Sequence, residues 1–242
     1  MINQTASVTM RVLSQLRHDR RFLGLSIAMP VILIYMLYVF FDAVDRPFFN
    51  PKEFVPSIAA FIVHFITYIL SAIVLVRERT THTMVRMFVS GYRREGIISG
   101  YVLAYSVIAT VQSLIVLLTM NWFFELGYSF IDFLSMYFVI WLLAVISIAL
   151  GILVSNFART EGQVLPMIPL ILYPSLFFSG IIVSVDQMPR WAGWLSYTSP
   201  MYYANGIIDD ILNHIDRSML AGLILYGVIV LMLAILTLRE DS

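Results

Sequence analysis

Six apolar stretches, residues 22–41, 54–76, 102–124, 133–154, 164–185 and 220–238, contain no Asp, Glu, Lys or Arg. A bilayer crossing needs about 17–25 such residues in a row, so each stretch is long enough for one. In hydrocarbon every backbone N–H and C=O must be satisfied within the protein, which leaves closed barrels or helices; runs of about 20 residues without alternation predict helices. The chain is 60% hydrophobic and only 12% charged, about half the charged fraction of a soluble domain. The sequence therefore predicts an all-α integral membrane protein with six transmembrane helices. Ahead of them, residues 1–20 place Val8, Val12, Leu13 and Leu16 at helical spacing, with Arg11, Ser14, Gln15, Arg17 and His18 largely elsewhere. That pattern predicts an amphipathic helix on the membrane surface. A cleaved signal peptide is not expected, because 22–41 is a full crossing with no small-residue cleavage site behind it.

Six crossings put both termini on one side, and the basic residues choose the side. With the N-terminus inside, Arg11, Arg17, Arg20, Arg21, Arg77, Arg79, Arg86, Arg93, Arg94, Arg159 and Arg239 lie inside; Arg46, Lys52, Arg190 and Arg217 lie outside. Inner loops carry the excess of basic residues, so both termini are expected in the cytoplasm. The outer connections at 42–53 and 125–132 are too short for a folded domain of about 50 residues or more.

The fifth run is unlike the others. It carries Pro166, Pro169 and Pro174 and meets Phe178-Ser179-Gly180, so its helix is expected to be kinked or broken. Beyond it Trp191, Trp194, Tyr197, Tyr202 and Tyr203 lie between or just past Pro189 and Pro200. Such rings suit the headgroup level. Residues 183–218 accordingly predict short re-entrant or interfacial helices before the last crossing, roofing a pathway; an ordinary aromatic belt is the alternative. Phe61, Phe65, Tyr68, Phe177 and Phe178 supply apolar walls for a hydrophobic or amphipathic cargo.

Inside, only residues 77–101 form a connection of any length. Thr80 or Thr81 is expected to cap a short helix with Met84, Met87 and Phe88 exposed on one face and Arg86 on another, ended by Ser90-Gly91. An exposed Met and Phe face flanked by arginines suits a docking protein, or membrane headgroups.

Catalytic patterns are missing from the sequence. A phosphate-binding loop needs a glycine framework ahead of its lysine, and the single lysine, Lys52, follows Pro51. The histidines His18, His64, His82 and His214 lack zinc spacing, and Ser179 lacks the nucleophile elbow. Cysteine is absent and net charge is zero, which removes thiolate metal sites and gives no sign of a nucleic-acid partner. Among the runs only His64 is ionisable and deep, with Gln112 and Ser113 as polar company. Helix packing is the weightier role for His64, and proton relay the rival one.

Two regions resemble the membrane subunit of ABC-2 type transporters. In RERTTHTMVRMFVSGYRREGIISG, Glu78, Thr83, Met84, Arg86, Met87, Arg94 and Gly100 fall where that family's coupling segment has Glu, Thr, Leu, Arg, Leu, Arg and Gly. Pro174, Phe178, Ser179, Gly180, Met188, Pro189, Trp191, Pro200 and Tyr203 match its Pro-x-x-x-Phe-Ser-Gly, Met-Pro-x-Trp and Pro-x-x-Tyr elements. His82 departs from a usual Gly, Gly91 from a usual Pro and Tyr101 from a usual Lys.

The resemblance implies one ABC-2 type transmembrane domain over 1–242, not itself an enzyme and with no cofactor of its own. A cytosolic ATP-binding cassette subunit, holding ATP and magnesium, would couple through Glu78, Thr83, Met84, Arg86, Met87 and Arg94. Phe177, Phe178, Ser179, Gly180, Met188, Pro189, Trp191, Pro200 and Tyr203 would form the pathway and its re-entrant cover. A second permease chain would complete a dimer among the lipids of a prokaryotic plasma membrane. Export of a drug, antibiotic or lipid-like compound is the implied function, with polysaccharide left open. An ion-coupled carrier using His64, or an anchor for a cytosolic complex, are the alternatives from other classes.

Overall fold

A computed structural model describes residues 2–43, 51–213 and 218–238, and these are helical with no strand. Arg46, His214, Arg217 and Arg239 lie outside the described residues. The helices are α1 (Ile2–His18), α2 (Arg20–Ala43), α3 (Pro51–Thr80), α4 (Thr83–Val89), α5 (Arg94–Phe124), α6 (Phe130–Ser155), α7 (Glu161–Phe177), α8 (Arg190–Ser196), α9 (Pro200–Asn213) and α10 (Ser218–Thr237), with a 3₁₀ turn at Val185–Gln187.

Five helices, α2, α3, α5, α6 and α10, are long and apolar enough to cross a membrane. The remaining run, expected at 164–185 as one crossing, is not a single helix. It runs unbroken through its three prolines and stops at Phe177, where Ser179 and Gly180 turn the chain and Gly180 takes a φ of +87°. At 17 residues it is about 25 Å long, short of the ~30 Å hydrocarbon core.

The centre of the bundle is α3 against α6. In their most apolar stretches 61% and 72% of residues are buried, against 17% in α2 and α10. The pair approaches closely because Gly151 of α6 has no side chain: a Cβ there would lie 2.0 Å from Ser71 Oγ, 2.7 Å from Tyr68 O and 2.9 Å from Ala72 N. Small residues let helix backbones meet where no hydrophobic gradient drives association. Around the pair, α5 and α2 pack on one side, and α7, α9 and α10 on the other.

The ends of these helices are set by local chemistry. Asp19 accepts from the Phe22 amide (2.9 Å) and caps α2. Ser129 accepts from Asp132 N (3.2 Å) while donating to its carboxylate (2.7 Å), a reciprocal cap on α6. Gly91, at φ +82°, ends α4 as the sequence indicates, with Tyr92 N donating to Met87 O (3.1 Å) and Gly91 N to Phe88 O (2.9 Å). The start of α4 differs from expectation. Neither Thr80 nor Thr81 caps it; His82 stands at that position, left-handed at φ 56°, with no side-chain cap. Thr81 Oγ1 bonds back to Arg77 O (3.0 Å) and Glu78 O (3.2 Å), continuing the α3 ladder instead. A glycine would take this backbone without strain, which accounts for the Gly usual at this position and makes His82 the costlier choice.

Gly151→Val should cost about 1–3 kcal/mol through overpacking, because Tyr68 O and Ala72 N are backbone atoms and cannot swing aside. Thermal unfolding of the purified chain in detergent checks this; an unchanged midpoint would contradict the α3–α6 contact.

Candidate functional site

Two places gather the residues singled out in the sequence. The first is the end of the bundle where α1, the last turns of α3, α4 and the first turns of α5 meet. The predicted connection 77–101 is mostly helix: α3 runs on to Thr80 and α5 begins at Arg94. The apolar stripe of α1, Val8, Val12 and Leu16, is buried, and the face expected to meet lipid packs on α5. A notch receives it. Gly96 and Gly100 are four residues apart on α5, and a Cβ on Gly100 would lie 2.6 Å from Val8 Cβ.

Charge completes this junction. Glu78 is 5% exposed and accepts from Gln15 Nε2 at 2.9 Å and from Arg11 at 3.4 Å. Arg11 also donates to the Tyr101 hydroxyl and lies 5.6 Å over its ring. Burial works against the Arg11 charge, but Tyr101 and Glu78 outweigh it and hold the guanidinium above its ordinary value. Tyr101, which replaces a usual Lys, therefore serves as the arginine's partner. The next residue, Arg79, is also buried and donates to Ser155 O and Asn156 Oδ1 at the end of α6. Asn156 Nδ2 in turn reaches Ala234 O and Thr237 Oγ1 of α10, both at 2.8 Å. A cation at a helix C-terminus answers the carbonyls left unpaired there.

The structure corrects the expected face of α4. Met84 and Met87 are 1% and 8% exposed and point into the core, because α4 folds back onto α3. Phe88 is half-buried, while Arg86 and Val89 face outward. Arg86 donates to Thr83 Oγ1 and Thr81 O, both at 3.2 Å. Between α1 and α4 lies a cleft of about 240 Å³ bordered by Ser7, Arg11, Thr83, Arg86, Ser90 and Tyr92. Arg94 is half-buried at the start of α5. Of the six residues proposed for coupling, Arg86 and Thr83 border this cleft along with Met87, whereas Glu78 and Met84 secure the elements behind it.

The second place is the broken run. His64 is fully buried, halfway between Pro51 and Arg77 on α3, about 20 Å from either. Its Nδ1 meets Ser147 Oγ of α6 at 2.7 Å, and its Nε2 meets Ser175 Oγ of α7 at 3.2 Å. Ser175 Oγ continues to Ser199 Oγ, 3.1 Å away and just ahead of α9. Ser147 donates its own proton to Leu143 O (2.6 Å), so it accepts from His64 Nδ1–H and leaves Nε2 to accept from Ser175. The partners are hydroxyls, and no carboxylate bonds to this imidazole among the described residues.

At that level α7 ends and α9 begins. From Ser199, α9 follows α3 towards its Pro51 end, where Asp209 comes within electrostatic reach of Glu53. α7 and α9 meet at Ser175 and Ser199, and residues 178–198 connect them. Residues 183–218, expected as short re-entrant or interfacial helices, hold two of them: α8, where Trp191 and Trp194 are 65% and 77% exposed, and α9, which buries Met201, Ala204 and Ile208 against α3, α6 and α10.

The other pathway residues divide likewise. Phe177 is exposed, and Phe178 meets Trp191 edge-on at 6.5 Å. Ser179 is buried, donating to Leu176 O (2.6 Å) and accepting from Ile181 N (3.2 Å). Met188 is half-buried, Pro189 precedes α8, and Pro200 is the buried first residue of α9, where its missing N–H costs nothing. Tyr203 donates to Tyr197 O (3.0 Å) and lies over Gly222 of α10, a Cβ of which would meet its ring at 2.5 Å. Phe178, Ser179, Gly180 and Trp191 are thus brought together, while Tyr203 belongs to the α9–α10 contact. Sequence reasoning missed Arg11, Gln15, Arg79, Asn156, Ser147, Ser175 and Ser199. The adjacent charges of Glu78-Arg79 and the Gly96/Gly100 spacing were the available signals; single serines in apolar runs gave none.

A family model described as ABC-2 type transporter matches residues 3–212, from α1 to the end of α9. The probable multidrug ABC transporter permease YbhR of Escherichia coli K12 is 26% identical over 175 residues, covering 70% of this chain and 47% of that protein. YbhR of Escherichia coli O157:H7 gives the same figures. ABC transporter G family member 20 of Dictyostelium discoideum is 23% identical over 144 residues, 59% of this chain and 20% of that protein. The chain spans about half the length of the YbhR proteins it matches.

His64→Phe should remove the link between α6 and α7 and leave two serines short of a partner, at a cost of about 1–3 kcal/mol. Unfolding measurements check the cost, and the packing role further requires that the pH dependence of any transport stay as in wild type. A changed proton dependence would restore the relay reading.

Proposed function

The chain belongs to the ABC-2 type transporter family, and from that premise we propose that it is the membrane permease of an ATP-driven exporter for hydrophobic or amphipathic compounds. The names of the YbhR relatives, together with the many exposed apolar side chains along α7, favour drug- or lipid-like cargo. A separate ATP-binding subunit supplies ATP and magnesium. It docks at the α1–α4 cleft, with Arg86, Thr83 and the exposed edge of α4 as contacts. A second permease chain faces the first, and both termini lie in the cytoplasm of a prokaryotic cell.

One observation carries this proposal: Glu78, Arg11, Gln15 and Arg79 lock α1, α3 and α6 together behind α4, and the same α3 holds the break between α7 and α9 at His64. Closure of the ATPase against α4 would tilt α3 as a rigid element and move that break, where Phe177, Phe178 and Trp191 line the way out. Coupling of this kind needs contacts that differ between two states. Met84, Met87 and Glu78 act from behind as the seat of the lever.

Arg86→Glu should leave the protein folded and in the membrane while uncoupling ATP hydrolysis from transport. Met87→Asp places a charge in the core and should lower stability and yield. Vesicle transport, co-purification with the ATP-binding subunit and thermal unfolding separate the two; normal coupling in Arg86→Glu would remove this docking surface.

ATPase activity is also expected only when the cytosolic subunit is co-purified with the chain. Uphill transport by the isolated chain without nucleotide would overturn the whole assignment.

A further inference from the structure

Gln112 and Ser113 play no part in the transport proposal and sit deep in α5. Counted along the helix, Gln112 is about 27 Å from Arg94 and about 18 Å from Phe124. Gln112 is 1% exposed and Ser113 is fully buried. Thr67 of α3 donates to Gln112 Oε1 at 3.3 Å. Gln112 Nε2 and Ser113 Oγ have no hydrogen-bond partner among the described residues. Turning the amide over exchanges which of its atoms meets Thr67 and leaves the other alone, so neither orientation completes it.

Ser113 differs from other hydroxyl residues of its own helix. Ser106 and Thr110 donate to Leu103 O and Ser106 O, both at 2.8 Å, and Thr119 donates to Ile115 O. Bonding back to the preceding turn is the usual way to satisfy a hydroxyl within a helix, and Ser113 does not use it. A helical side chain leans towards the N-terminus and covers the turn before it. For Gln112 and Ser113 that turn is the same one. Ala109 lies three residues before the first and four before the second, so it adjoins both. It is 1% exposed, and its short side chain sets a notch between the two orphaned groups.

The chemistry of the notch selects its occupant. An amide N–H needs an acceptor, and a guest at so closed a position must be small. Residues 54–76, 102–124 and 133–154 hold no Asp, Glu, Lys or Arg, so an ion there would be buried without a counter-charge, far more costly than a neutral molecule. An apolar guest would leave both polar groups unmet. Water both accepts and donates, and a buried water typically makes about three such bonds.

We propose that Gln112 and Ser113 hold a buried water molecule over Ala109, which accepts from Gln112 Nε2 and shares a hydrogen bond with Ser113 Oγ. It completes the polar tie between α3 and α5 that Thr67 begins. The site depends on the packing of α5 alone and holds whether or not the chain transports.

Proton-detected solid-state NMR of the full chain in lipid vesicles, with isotope-labelled glutamine, tests this. The Gln112 side-chain amide, assigned by its disappearance in Gln112→Met, should receive magnetisation from water while exchanging with deuterated solvent more slowly than the exposed Gln163. Ala109→Leu fills the notch and should abolish that transfer. Thermal unfolding gives a second reading. In wild type Ala109→Leu strands two polar groups, so its midpoint should fall by about 3 °C more than when the same change is made in a Gln112→Met, Ser113→Ala background. No transfer from water to Gln112 in wild type, transfer unchanged by Ala109→Leu, or equal falls in the two backgrounds would overturn the site.

Discussion

The backbone contact between α3 and α6 at Gly151 is the constraint on which the other helices rely. In a bilayer the surrounding lipid is as apolar as leucine, so helices gain little by hiding side chains from it and must gain by fit. With 2.0–2.9 Å between a would-be Cβ and α3, the two helices meet closely, and α5 and α9 pack on both of them while α10 packs on α6. The lipid-exposed helices α2 and α10 are held from the inside only. The same device recurs where α1 meets Gly100 and where Tyr203 meets Gly222.

Polar groups are placed along α3 with a clear division. At one end stand two buried charges of opposite sign that satisfy different neighbours: Glu78 binds α1, and Arg79 binds the end of α6. An adjacent Glu-Arg pair on a helix points in two directions, so one residue step suffices to tie α3 to both sides. In the middle, the ring nitrogens of His64 bond to hydroxyls. Hydrogen bonds of this neutral kind contribute about 1 kcal/mol each, well below the cost of stranding a charge. The end is therefore stiff, and the join between α7 and α9 is held more lightly.

Much of this was legible in the sequence. Helix type followed from six charge-free runs, five of which are single long helices, and the break within the fifth run from Ser179-Gly180. The three prolines misled as to where it falls: α7 runs through all three, and the turn comes where Gly180 takes a positive φ that glycine adopts at no steric cost. The exposed face assigned to Met84 and Met87 failed because a seven-residue helix has no periodicity to say which side its neighbours occupy; the fold-back through left-handed His82 decided it. Likewise Val8, Val12 and Leu16 announced an apolar stripe, but lipid and α5 are equally apolar, and only the spacing of Gly96 and Gly100 distinguishes them. The serines around His64 were illegible, because a hydroxyl in an apolar run is commonly satisfied by its own helix.

The length of α3 carries a further consequence. Its 30 residues form a rod of about 45 Å, with its charged anchor at one tip and Glu53 beside Asp209 at the other. Pivoting such a rod by about 5° displaces the free tip by about 4 Å, several times the play that close-packed interiors tolerate. Any rotation at the Glu78 tip must therefore be absorbed somewhere along the way. The serine-lined joint beside His64, held by hydroxyl hydrogen bonds between helix ends rather than by a continuous helix, is where α3 meets such a rotation.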